Sequence, residues 1–298
     1  MNRKTFLTIL LIGLLLSTSC MKSTKEKPAK LTQHEKAPKS LVSVAEGIDQ
    51  VLGSMNDIEK ILKLSPLEFK VQHTDTEPKK EKTEDGGQDI KNQENKDENK
   101  DENKDEQEKT DKSKTEKEAM ITKDEEILKI WKTVDDKIEK IHKDWNNYES
   151  EGMKKGASAE KSKDLKGNLN LFTRAIENRD MVLAMDDGSK TLSSLSYFFD
   201  LYRDETYGDL SRIRYAVYQA YLNAKGNNVK EADKLLETTE EYITRIRQKL
   251  GEDKDSIKSL DKLSLSIGDM KQSLTDDSMK LWEIKRDIIL ENIKQLQK

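Results

Sequence analysis

All four prolines of this 298-residue chain (Pro28, Pro38, Pro66 and Pro78) lie before residue 80, and the 220 residues after Pro78 contain none. Proline inside a helix costs about 3 kcal/mol, through its missing N–H and its clash with the preceding turn. So long a proline-free span suits continuous helix. Alternating runs of Val, Thr and Tyr, which would signal strands, are missing. The expected fold class is all-α: an antiparallel bundle of about five to seven helices behind a disordered tether.

Hydrophobic spacing outlines the helices of a domain over 121–298. Ile127, Trp131, Val134, Ile138, Ile141, Trp145 and Tyr148 recur at four-three spacing, a coiled-coil-like seam. Thr122 and Glu125 stand before it at capping-box spacing, and Gly152 and Gly156 are expected to close it. A second helix is expected over 162–185, with Leu165, Leu169, Phe172, Ile176 and Leu183 inward and Asp186-Asp187-Gly188 as its stop. A third is expected over 189–203 and a fourth over 209–225, with Gly226 as its left-handed cap. These two can also be read as one helix bent near Gly208. A fifth should run over 229–250, closed by Gly251, and a sixth over 256–274. The last should start at Asp276 or Asp277, with Trp282, Ile288, Ile289, Ile293 and Leu296 inward. Short glycine-marked turns between long helices predict antiparallel neighbours. Residues 215–232 resemble the turn of a tetratricopeptide-type helix pair, in one copy only, which does not make a repeat array.

Upstream, Leu41, Val44, Ile48, Val51, Met55, Ile58 and Leu62 share one helical face over 41–65, with Ser40 as its cap and Ser65-Pro66 as its end. Such a helix is marginal alone in water. It either docks on the main domain or associates with itself or a partner through residues 41–62. Residues 66–120 read as a charged, low-complexity linker, with the repeat ENKDENKDENKDEQEK at 94–109. Residues 20–40 read as a polar tether.

At the start, Arg3 and Lys4 precede an apolar run over 6–16, and Ser17-Thr18-Ser19 lead into Cys20. This is the pattern of a secretory signal over 1–19, too short to be a permanent span. Cys20 is the sole cysteine and sits where a bacterial lipoprotein signal is cleaved and acylated. The usual pattern has Leu three residues before that cysteine; here Ser17 stands there and Leu16 lies four before. The other reading is an ordinary signal with a coincidental cysteine. Acyl chains on Cys20 contribute about 0.8 kcal/mol per buried methylene, and two or more make anchoring to a membrane stable.

Functional chemistry is sparse. A net charge of −4 predicts no general attraction to nucleic acid. The three histidines, His34, His73 and His142, are scattered, which argues against a zinc site or a Ser-His nucleophile. The acid pairs Asp186-Asp187 and Asp276-Asp277 sit where carboxylates cap or turn helices. No glycine-rich phosphate loop appears; Gly86-Gly87 lies in the charged linker. No catalytic residue, metal site or cofactor is expected. The one anomaly is that six of the eight tyrosines fall within 197–221. On the fourth helix Tyr215 and Tyr218 lie off the main apolar stripe, near Arg203, Arg212 and Arg214. A helix apolar on two faces is central in a bundle or half of a binding surface. On the second reading these five residues are the candidate partner-binding set, since Tyr and Arg dominate interface hot spots.

The LLLSTSC signal at 14–20, the Lys/Asn/Glu-rich tether and the Lys- and Ile-rich helical domain without a further cysteine together resemble a Borrelia-type spirochaetal surface lipoprotein. The resemblance implies lipid-anchored display on the outer membrane and, in many relatives, binding of host proteins such as complement components, fibronectin or glycosaminoglycans. No residue here matches a ligand motif of those relatives, so none carries over. The expectation is a non-enzymatic binding module for a host protein. The alternative is a structural or periplasmic envelope lipoprotein that binds a bacterial partner.

Overall fold

The computed structural model describes residues 36–74, 121–203 and 205–297. The signal-like segment, Cys20 and the charged repeat lie outside these residues. Those described form an all-α helical bundle with no strand among them. Helix α1 (Lys39–Lys63) is followed by a short α2 (Pro66–Thr74). After residues 75–120 come α3 (Lys123–Lys155), α4 (Ala159–Glu177), α5 (Met181–Phe199) and α6 (Tyr207–Lys225). Then follow α7 (Val229–Glu237), α8 (Thr239–Leu250), α9 (Lys254–Ser273), a 3-10 turn (Leu274–Asp276) and α10 (Met279–Gln295).

Several boundaries fall where the sequence signals predict. The Thr122 hydroxyl accepts from Glu125 N at 3.2 Å, and Glu125 Oε2 accepts from Thr122 N at 2.8 Å, a complete capping box. Gly156 ends α3 in the left-handed region, at φ 104°. Other boundaries are corrected. Asp186-Asp187-Gly188 is not a stop but lies inside α5. The break comes earlier, at Arg179, which turns left-handed at φ 55°. There Asp180 N donates to Ala175 O and Arg179 N to Ile176 O, both at 2.9 Å, the bonding of a Schellman close. The Asp180 carboxylate then caps α5 by accepting from Leu183 N. The left-handed residue after α6 is Asn227, at φ 62°, not Gly226. Helices α5 and α6 are two helices rather than one bent helix. The expected fifth helix divides at Thr238, where Thr238 and Thr239 hydroxyls donate to the carbonyls of Leu235 and Leu236, a local competition that bends helices. Ser40 does not cap α1; that place belongs to Pro38. The supposed linker begins with helix α2, whose Phe69 is buried.

Helix α1 docks within the bundle. Leu41, Val44, Ile48, Val51, Leu52 and Met55 are fully buried, each contributing about 1.5–3 kcal/mol relative to exposure. The stripe that self-association would have used is therefore covered by α3 and α5 of the same chain. Only Leu62 of the predicted face is exposed. Two glycines permit the close crossings. A Cβ on Gly47 would lie 2.7 Å from Ile141 of α3, and one on Gly188 of α5 would lie 2.8 Å from Leu52 and Phe172. Across the α3–α5 contact, Trp145, Tyr148 and Phe198 form an edge-on cluster with centroids 4.9–5.9 Å apart. Helix α6 lies at the centre, touching α5, α7, α8 and α10. Leu183 and Ile288, expected inward, face solvent instead.

The crossings predict opposite responses to added methyl groups. Gly188→Val should lower stability by about 1–3 kcal/mol through overpacking. Gly53 of α1 meets nothing within 4 Å of an added Cβ, so Gly53→Ala should raise stability by about 0.5–1 kcal/mol. Thermal denaturation of both variants checks the pair.

Candidate functional site

Where α1, α6 and α10 meet, a cleft of ≈ 240 Å³ opens. Its charged walls are arranged in pairs. Arg214 Nε lies 2.9 Å from Asp49 Oδ1, and Arg214 NH2 donates to Gln297 Oε1 at 2.6 Å. Lys60 lies 2.7 Å from Asp287. At the inner wall Asn56 Nδ2 donates to the Tyr218 hydroxyl at 3.0 Å, while Asn56 Oδ1 has no partner. Burial lifts the Asp49 carboxyl from 3.8 to about 6, against the opposing pull of Arg214 and Lys294. Burial also pushes the Tyr218 phenol upward, so it stays protonated.

One turn along α1, a second polar centre ties the same three helices together. Glu59 Oε1 accepts from the Tyr221 hydroxyl at 2.6 Å and from Lys225 Nζ at 2.8 Å. Its Oε2 accepts from Arg286 NH1 at 2.9 Å. Arg286 is 0 % exposed and stands 4.2 Å from the Tyr221 ring centroid, within cation–π range. Burial alone would raise the Glu59 carboxyl, but the hydrogen bonds from Lys225, Tyr221 and Arg286 outweigh it and hold the group at about 2. This centre is closed and structural. The cleft beside it is open and polar, and its chemistry is recognition by charge and hydrogen bonds.

The candidate partner-binding set is dispersed. Tyr218 and Arg214 are buried, because α6 is the central helix, and both serve the walls of the cleft from within. Arg212 is engaged by Asp200 and Asp209. Tyr215 is half-buried, and Arg203 is exposed in the turn after α5. No single Tyr/Arg face results. Arg245 and Lys249 of α8 converge on the fully buried Asp209, at 2.6 and 2.8 Å. His142 bonds the Thr173 hydroxyl at 2.8 Å, and burial lowers its pKa. His73 falls on α2, and His34 lies outside the described residues. Among the described residues no three His, Cys, Asp or Glu side chains are placed to hold a metal ion. A wider, more apolar groove of ≈ 620 Å³ runs over Ile121 and Leu128, but none of its polar lining residues is buried.

Asp49, Asn56 and Glu59 were missed as site residues. A signal was present: with Ala45 and Leu52 they form a second line at helical spacing beside the main stripe of α1. Compared with known proteins, the chain matches no family model, no curated protein and no solved structure.

The two carboxylates should titrate against stability with opposite signs. Glu59, lower in the folded state than its ordinary 4.5, supplies stability that is complete above pH 4.5 and is lost as pH falls toward about 2. Asp49 binds its proton more tightly folded than unfolded, so its favourable contribution falls away as pH rises from 3.8 to about 6. Urea denaturation across that window should show wild type losing about 3 kcal/mol relative to Asp49→Asn. At pH 7, Glu59→Leu should cost about 3–5 kcal/mol, since it leaves Arg286 charged and buried without its acceptor.

Proposed function

We propose that this chain is a lipid-anchored, non-enzymatic binding module on a bacterial outer surface, with a host protein as its ligand. The observation that carries the reading is the spacing between anchor and body. Helix α1, a core element, begins nineteen residues after Cys20. Fully extended, a tether of that length reaches about 60 Å, so acyl chains on Cys20 would keep the whole bundle near the membrane. The chain is pinned by Ala37, whose N–H donates to Glu205 Oε2 at 3.2 Å. No described helix is long and apolar enough to cross a membrane, so the lipid would be the attachment.

The position of residues 75–120 also supports display. They are not a spacer between two bodies, because α1 and α2 belong to the same bundle as α3–α10. Lys123 Nζ, one turn into the returning chain, donates to Leu62 O at 3.0 Å and Leu64 O at 2.7 Å. The acid-and-base-rich stretch thus leaves and re-enters near one end of the bundle. The periplasmic alternative relied on an available stripe over 41–64 for a bacterial partner, and that stripe is buried within the chain.

Cys20→Ser should move the protein from the membrane to the soluble fraction with an unchanged melting temperature, because the anchor lies outside the folded body. Protease added to intact cells should remove the wild-type protein, and a pull-down from host serum with the mature chain should retain a host protein. Membrane retention of Cys20→Ser would overturn the anchor; protease resistance on intact cells would overturn surface display; empty pull-downs across several host sera would overturn the host ligand.

A further inference from the structure

We propose that the cleft between α1, α6 and α10 is a binding site for a small organic cation bearing N–H donors, a primary amine or a guanidinium. Four observations converge. The first is size: ≈ 240 Å³ is the room of about eight waters, enough for a small metabolite and too little for a folded partner.

The second is an unused acceptor. Asn56 is 6 % exposed, lines the cleft and turns its amide nitrogen to Tyr218, which leaves Oδ1 with no hydrogen-bond partner. A buried acceptor left unmade costs about 1–3 kcal/mol, and a ligand N–H removes that cost.

The third is the balance of charge. The cleft is lined by Asp49, Asp57, Asp287 and Glu291 against Lys60, Arg214 and Lys294. Arg214 is engaged by Asp49 and Gln297, and Lys60 by Asp287. Asp57 and Glu291 are exposed, and among the described residues neither forms an ion pair. Two carboxylates therefore remain open at the rim with only Lys294 to offset them, which favours a cation over an anion. Lys294 would also receive a carboxylate on the same ligand.

The fourth is Gly53. Gly47 and Gly188 are required by close helix crossings, but Gly53 sits inside α1 on the cleft wall with nothing within 4 Å of an added Cβ. Glycine there costs about 0.5–1 kcal/mol relative to alanine and fills no packing role. Its effect is to leave the cleft empty.

Equilibrium dialysis of the full chain tests the site, with putrescine as the amine probe and agmatine as the guanidinium probe. Tetramethylammonium carries the charge without N–H donors, and butyrate is the anionic control. Saturable binding of putrescine or agmatine is expected, undisturbed by excess tetramethylammonium. Gly53→Leu, which fills the cleft, and the exposed double variant Asp57→Asn/Glu291→Gln should each weaken it by about tenfold or more. Circular dichroism establishes that each variant is folded; should Gly53→Leu fail that check, the double variant decides. Absence of saturable binding by both probes overturns the proposal. So does binding that survives in the folded variants, competition by tetramethylammonium, or stronger binding of butyrate. The proposal stands apart from the host-ligand reading, and neither outcome bears on membrane attachment.

Discussion

The bundle depends on the seating of α1 between α3 and α5. Its stripe from Leu41 to Ile58 is covered on both sides, with Gly47 and Gly188 allowing backbones to approach where a methyl group would collide. Interiors this closely packed respond to single methylenes. Without α1, the inward faces of Ile141 and Phe172 would be exposed to water. A helix separated from the rest of the body by residues 75–120 is thus one of its central elements.

Apolar burial is non-directional, and it does not by itself say which way α1 slides or turns. The polar contacts along its second face supply direction. Asp49 meets Arg214, Asn56 meets Tyr218, and Glu59 gathers Tyr221, Lys225 and Arg286. These partners come from α6 and α10, far along the chain. Buried charge adds little net stability over a well-packed apolar equivalent, but a mispaired one is costly. In this bundle that asymmetry fixes the register of α1 against α6 and α10. The cleft opens where this line of polar contacts reaches the surface.

Sequence periodicity reads well where a helix has one buried face. The seam of α3, its capping box and the stripe of α1 were all legible because each is a local pattern. Reading failed at helix ends that lack their usual residue. Arg179 takes the left-handed place that glycine ordinarily marks, held by a two-pronged contact with Asp135 at 2.6 and 2.7 Å and by the Trp131 ring. Gly188 looked like a stop because a glycine after two aspartates usually is one; its reason for being glycine is Leu52, more than a hundred residues away in sequence. The tyrosines and arginines of α6 misled in the same way, since a pattern apolar on two faces does not say whether neighbours cover both.

By itself the sequence determined the helical class, the main amphipathic faces, the signal-like start ending at Cys20 and the charged stretch that interrupts the body. These follow from composition and from spacings of three and four, which local backbone geometry obeys. Only the tertiary structure decided that α1 lies inside the bundle, that Arg214 and Tyr218 face inward, and that Asp49, Asn56 and Gly53 border one cleft. Those facts depend on contacts across more than a hundred residues, and helical periodicity carries no record of which distant face a side chain will meet.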